Sequence, residues 1–352
     1  MIYTDKTAEA VQLLKRMVSI PSVSRDENEV ACLIEEFLRN KGYAVERQGN
    51  NNWVRSKSWK DGKPTVLLDA HIDTVKPVAA WKHDPFTPTE TEDGTIFGLG
   101  TNDDGASVVS LMQAFLAIDG NGGCSDYNLI YLASCEEEVS GKNGIECVLP
   151  LLPEISFAVV GEPTGMQPAI AEKGLMVIDV TEQGVAGHAA REGGVNAIYK
   201  AVDDIDWIRH HQFDKVSTLL GPVKMTATII NAGTQHNVIP DKCVFTIDVR
   251  SNELYSNQEL FDEISSKLQG DAKARSFRLN SSRIDMQHPF VKKLLDMGLT
   301  PFGSPTLSNQ ALMHFPSVKI GPGDSSRSHS ADEFIRIAEI DKAIEMYCKL
   351  LA

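Results

Sequence analysis

Between residues 7 and 19 the apolar side chains Ala10, Leu13, Leu14, Met17 and Val18 recur at helical spacing, and Ile20-Pro21 stops the run. The pattern predicts an amphipathic helix. Ser24-Arg25-Asp26-Glu27 has the spacing of a capping box and predicts the start of a second helix. Its Val30, Leu33, Ile34, Phe37 and Leu38 share one face, and Gly42 ends it. Four short apolar runs then alternate with helical segments: Val66 to Ala70, Leu129 to Ala133, Phe157 to Val160 and, much later, Val318 to Ile320. Runs of this kind predict buried parallel strands. The segment after Asp104, with Val108, Val109, Met112 and Phe115, predicts a crossover helix, and residues 331–351 a terminal one.

Between about 173 and 285 the texture changes. Leu175 to Val180, Val223 to Ile230 and Cys243 to Arg250 alternate as half-exposed antiparallel strands do, with a helix expected near 195–210. The expectation is an α/β protein with a mixed, largely parallel sheet flanked by helices, carried on residues 1–172 and 286–352. Residues 173–285 form an inserted α+β domain.

At 352 residues the chain has room for two domains, and its 42% hydrophobic and 23% charged residues are those of an ordinary globular protein. The net charge of −14 argues against a nucleic-acid partner. No apolar run approaches the ~20 residues that span a bilayer, and the opening residues contain no signal-like apolar stretch. A soluble, cytoplasmic protein without a membrane partner is expected. The six cysteines show no C-x-x-C spacing, which points away from a thiolate zinc site or a disulfide framework.

The polar residues of interest stand where the apolar strands end, and in open α/β sheets that is where ligands bind. His71-Ile72-Asp73 follows the first strand. A period of two turns His71 and Asp73 to one side, as suits a metal-binding imidazole held by a carboxylate or a purely structural pair. Asn102-Asp103-Asp104-Gly105 follows a glycine-rich turn and also reads as an acidic helix cap. Glu136-Glu137-Glu138 follows the second strand. A solvated acidic run is one reading, but three carboxylates directly after a buried strand repel one another unless a cation is present. Glu162 follows the third strand and His329 precedes the last helix. Five such segments offering two histidines and several carboxylates make a ligand set for a hard or borderline divalent metal.

With these residues in order the chain resembles the di-zinc deacylase and exopeptidase family that contains acetylornithine deacetylase, succinyl-diaminopimelate desuccinylase, aminoacylase and carboxypeptidase G. The resemblance spans nearly the whole chain. It rests on His71-x-Asp73-Thr74-Val75, Trp81 through Asp84-Pro85-Phe86, Gly100-x-x-Asp103, Glu137-Glu138, Gly161-Glu162-Pro163-Thr164, Gly187-His188-Ala189-Ala190, Asn237-Val238-Ile239-Pro240, Asp248-Val249-Arg250 and His329-x-x-Asp332-Glu333.

The resemblance implies a zinc exopeptidase-like fold and two Zn2+ per subunit, with Co2+ able to substitute. Asp103 would bridge them, His71 and Glu162 completing one and Glu138 and His329 the other. Asp73 would orient His71, Glu137 would be the general base, and the Asp103-Asp104 peptide would be cis. The insert would be a lid that forms a homodimer and supplies His188 to the partner's site, where it stabilises the oxyanion. Arg250 and Asn237 would bind the substrate's carboxylate side, or be respectively a surface ion pair and a turn residue. Leu99, where many relatives have Arg, and Ser308-Asn309, where many have Ser-Asp, depart from the pattern.

The implied reaction is hydrolysis of the amide of an N-acyl amino acid, foremost N-acetylornithine or N-succinylornithine in arginine biosynthesis. A dipeptidase or carboxypeptidase, or a catalytically silent metal-binding scaffold, are the alternatives. Glu137 speaks against the scaffold, which has no need of a base.

Overall fold

The computed structural model describes residues 4–352 and divides into two compact units. One comprises the chain up to Ile170 with Ile284–Phe302 and Ser308–Ala352; the other comprises Ala171–Arg283 with Gly303–Leu307.

The first unit is built on a mixed sheet in which the four apolar runs form adjacent parallel strands. Their order is Asn128–Ser134, Thr65–His71, Phe157–Val160 and Ser317–Lys319. Asn51–Arg55 pairs antiparallel with Asn128–Ser134. Every residue of Thr65–His71 and Asn128–Ser134 is buried, so they read as continuous apolar runs rather than alternating ones. The register sets His71 opposite Ser134 and Asp69 opposite Val160, which aligns the carboxyl ends of the parallel strands.

Helices Asp5–Val18, Ala106–Gly120 and Ile337–Leu351 pack against one another. Ala106–Gly120 also contacts the Thr65–His71 and Asn128–Ser134 strands and is apolar nearly all round, as a helix buried on all sides requires. Leu14, Ile34, Leu68, Phe115, Val318 and Tyr347 belong to this core. Burying a side chain of this size contributes about 1.5–3 kcal/mol.

Two local expectations fail. The second helix is Asn28–Asn40, and Ser24 does not cap it, because the Ser24 hydroxyl donates instead to Asp73 Oδ2 at 2.7 Å. Glu27 is fully buried and accepts from the N–H groups of Arg25 and Glu136 and from Asn50 Nδ2. The terminal helix starts at Ile337 rather than near 331, because Phe334–Arg336 forms a strand with Thr95–Phe97.

The second unit holds a four-stranded antiparallel sheet, Lys224–Ala232, Lys242–Arg250, Met176–Gln183 and Asp271–Ala274 in spatial order, with helices Ala197–His210 and Asn257–Lys267. Burial alternates along Met176–Gln183, and Ile178, Val180, Phe245, Ile247, Leu260 and Ile264 form the unit's own core. Among the described residues no helix is long and apolar enough to cross a membrane.

Candidate metal centre

His71 closes its strand with a side chain only 2% exposed. Its Nδ1 lies 2.9 Å from the backbone carbonyl of Asp73 and 3.5 Å from Asp73 Oδ1, which turns Nε2 toward Asp103 Oδ1 at 3.1 Å. The Asp73 carboxylate does more than face the ring. It accepts from the backbone N–H groups of Glu137 (3.0 Å) and Glu138 (3.1 Å) as well as from Ser24, so it shapes the turn that presents both glutamates. Burial opposes ionisation of Asp73, but the hydrogen bond to His71 and these donors hold its carboxyl below the usual range.

Asp103 sits in the turn Thr101–Gly105, entered through Gly100 at φ +75°, where a side chain would run into Thr74. The Asp103–Asp104 peptide is cis. While Oδ1 faces His71, Oδ2 lies 3.7 Å from His329 Nε2. That same imidazole nitrogen is 2.9 Å from Glu138 Oε2. Glu137 Oε2 approaches His71 Nε2 to 3.9 Å. Glu162 follows the Phe157–Val160 strand through Gly161, whose missing side chain lets Ser107 and Ala70 close in.

Ligand atoms of His71, Asp103 and Glu138 lie within 4.8 Å of one another, and so do those of His71, Glu137 and Glu162. The structure therefore brings together His71, Asp73, Asp103, Glu137, Glu138, Glu162 and His329. Burial pushes Glu137 and Glu162 well above the ordinary carboxylate range, and neighbouring carboxylates push them further. His71 is raised well above 6.5 against burial by its hydrogen bonds to Asp103 and Asp73. The two imidazoles with the carboxylates of Asp103, Glu138 and Glu162 form a nitrogen and oxygen donor set suited to divalent metals, whose charge would offset the crowding around Glu137. One oxygen of Asp103 toward each histidine suits a carboxylate shared by two ions.

The sequence profile of peptidase family M20/M25/M40 matches residues 67–352. The chain belongs to this family. It is thus a hydrolase of amide bonds with a mixed α/β fold. Over its length this M20-family chain is 27% identical to acetylornithine deacetylase of Proteus mirabilis, covering 97% of this chain and 95% of that one. It is 26% identical to succinyl-diaminopimelate desuccinylase of Corynebacterium glutamicum, covering 96% and 94%. Among solved structures, a tripeptidase from Staphylococcus aureus superposes with a TM-score of 0.78 at 18% identity, covering 100% and 98% of the two chains. A dinuclear metal-binding peptidase of family M20 from Bacillus subtilis superposes at 0.73 with 16% identity, covering 98% and 97%.

A residue given no role by the sequence completes the floor of this M20 site. Asn309, 4% exposed, donates to Asp69 Oδ2 at 2.9 Å and Ser134 Oγ at 3.0 Å, tying two parallel strands together below His71. Burial pushes Asp69 up to about 6. Asn309 had drawn notice only as a departure from the family pattern. Leu99, the other departure, is buried at 5% exposure.

His188, Asn237 and Arg250 lie in the second unit. His188 is exposed on a two-stranded ribbon, Gly187–His188 against Val238–Ile239, and its Nδ1 accepts from Ala190 N–H at 3.1 Å. The carbonyl of Asn237 accepts from Ala189 N–H at 2.9 Å, so the ribbon brings these two residues together. Arg250 ends its strand with Nε and Nη2 on the two oxygens of Asp248 at 2.8 and 3.1 Å. Nη1 keeps its N–H groups for other acceptors.

Proposed function

We propose that this chain is a zinc-dependent deacylase of N-acyl amino acids, with N-acetylornithine or N-succinylornithine as substrate and a place in arginine biosynthesis. The observation that carries the reading is Asp103 with one oxygen toward His71 and the other toward His329, beside the half-buried carboxyl of Glu137. Asp103 would be shared by two ions, with His71 and Glu162 on one and Glu138 and His329 on the other. When bound, the two ions polarise the amide carbonyl and lower the pKa of a water molecule toward neutrality. Glu137, unburdened by a ligand's role, takes the proton of the attacking water. It then delivers that proton to the leaving amine. Asp73 orients His71 and the turn carrying Glu137.

In the same reading the second unit is a lid that pairs two copies of the chain as a homodimer. Strand Lys224–Ala232 supports this, since it lies at the edge of its sheet and Ile229 and Ile230 are each 52% exposed. His188 would act in the partner's site as an oxyanion donor. Arg250 and Asn237 would hold the substrate's carboxylate.

A hydrolysis panel tests the assignment: acetyl, succinyl and formyl derivatives of ornithine, lysine, diaminopimelate and neutral amino acids, alongside dipeptides. The expected result is the highest kcat/KM on an acyl-ornithine. Faster turnover of dipeptides would make the enzyme a peptidase, and zinc binding with no hydrolysis anywhere in the panel would make it a scaffold.

A further inference from the structure

The loop that carries Asp103 and the segment that carries His329 are fastened to each other on both sides of the imidazole. Beyond His329, Glu333 is 2% exposed and turns its carboxylate onto the backbone of the opposite loop. Oε1 accepts from the N–H groups of Asn102 (2.8 Å) and Asp103 (2.9 Å), and Oε2 from that of Gly100 (3.2 Å). The Glu333 carbonyl accepts from Gly98 N–H at 3.0 Å. Before His329, Asn102 Oδ1 accepts from Asp324 N–H at 3.0 Å, while Nδ2 donates to the Asp324 carbonyl at 3.1 Å and Ser328 Oγ at 3.3 Å. A side chain on Gly323 would strike Asn102, so the contact is close enough to require glycine there.

Between these fastenings His329 has little support of its own. Its φ is +57° and its side chain 55% exposed. No regular element holds it, because the Phe334–Arg336 strand starts only after Glu333. His71 differs, since its strand is hydrogen-bonded to a parallel neighbour on each side. The positions of the two histidines relative to Asp103 therefore depend on different things: His71 on the sheet, His329 on two buried side chains that reach across to the Asp103 loop.

We propose that Glu333 and Asn102 are positioning residues that hold His329 in register with Asp103 Oδ2, so that the ion between His329, Glu138 and Asp103 depends on them far more than the ion at His71 does. The inference rests on the dinuclear reading above. It gives a role to Glu333, which the deacylase chemistry leaves unused. Outer groups that orient metal ligands are typically worth 10–100-fold in affinity.

The test is calorimetric titration of Zn2+ into metal-free protein. In Glu333→Gln the amide keeps one acceptor but sets an NH2 group against the Gly100 N–H. One of the two Zn2+ affinities should fall about 10-fold or more while the other stays within roughly threefold. Metal-free melting should stay near that of the parent chain. Asn102→Ala should show the same asymmetry to a smaller extent, and it decides the matter if Glu333→Gln does not fold. In a His329→Ala background, adding Glu333→Gln should change the remaining affinity by less than about threefold, because the ligand it positions is gone. Equal loss at both sites, no loss at either, or a full further loss in the His329→Ala background would overturn the proposal. A parent chain that takes up fewer than two ions would overturn the dinuclear reading and this inference together.

Discussion

His71 and His329 flank the same aspartate, and almost nothing else about them is alike. His71 is 2% exposed, ends a strand whose every residue is buried, and has its Nδ1 fixed by the Asp73 carbonyl. His329 is half-exposed, stands at positive φ in a loop, and meets Glu138 at 2.9 Å. The sheet thus supplies one half of the candidate centre as part of the fold, while the other half is assembled from loops by side-chain hydrogen bonds. A site built this way can have one rigid and one adjustable ion position on a single scaffold.

The most severe test of this two-halved picture is Asp103→Ala, which removes the carboxylate that turns one oxygen to each histidine. Metal content should drop below that of Glu162→Ala or Glu138→Ala, and activity should fall by more than the ~10²–10⁴-fold typical of losing one acid–base group. Elemental analysis showing two full equivalents in Asp103→Ala would dissolve the link between the halves.

Next in size is a pH effect at the loop-borne half. In the metal-free protein the hydrogen bond that His329 donates to Glu138 raises its pKa from 6.5 to about 9, with burial opposing. A folded-state pKa above the unfolded one stabilises fully below pH 6.5, and the benefit is lost as pH rises through about 9. Metal-free melting temperature should therefore decline over that window, and His329→Ala should flatten the decline. Because an ion must displace that proton, Zn2+ affinity at this half should climb with pH up to about 9 and then level. A pH-independent affinity would show that His329 is not a ligand.

The second unit offers the smallest effect. If Arg250 holds a substrate carboxylate in ground and transition states alike, Arg250→Ala should raise KM with little change in kcat. Charge-assisted hydrogen bonds of ~1.5–3 kcal/mol correspond to roughly 10- to 100-fold. A methyl ester of the substrate should then discriminate poorly between variant and parent. Undiminished preference for the free acid in Arg250→Ala would confine Arg250 to its ion pair with Asp248.

The same contrast explains what was legible in the sequence. Thr65–His71, Asn128–Ser134 and Phe157–Val160 announce themselves as unbroken apolar runs, because strands covered on both faces have no polar positions to interrupt them. The residues just past their ends were therefore readable as candidates before any fold was known. Loop partnerships left no such trace. Ser24 and Glu27 carry the spacing of a helix cap, yet they are drawn to Asp73 and the Glu136 backbone, 49 and 109 residues away in sequence. Glu333 and Asn102 likewise act on backbone N–H and C=O groups, which every sequence possesses, so nothing in their neighbours' identities points to them. Asn309 was visible only as an exception to a family pattern, and its hydrogen bonds to Asp69 and Ser134 supply the reason it matters.

The central claim is that Glu137 moves the proton and does not hold the metal. Its most direct test is Glu137→Gln, with bound metal and turnover of the best acyl amino acid measured on one preparation. The account predicts two metal equivalents, as in the parent, with kcat lowered by about 10²–10⁴-fold. Loss of a metal equivalent with turnover restored by excess zinc, or turnover undiminished from the start, would contradict it.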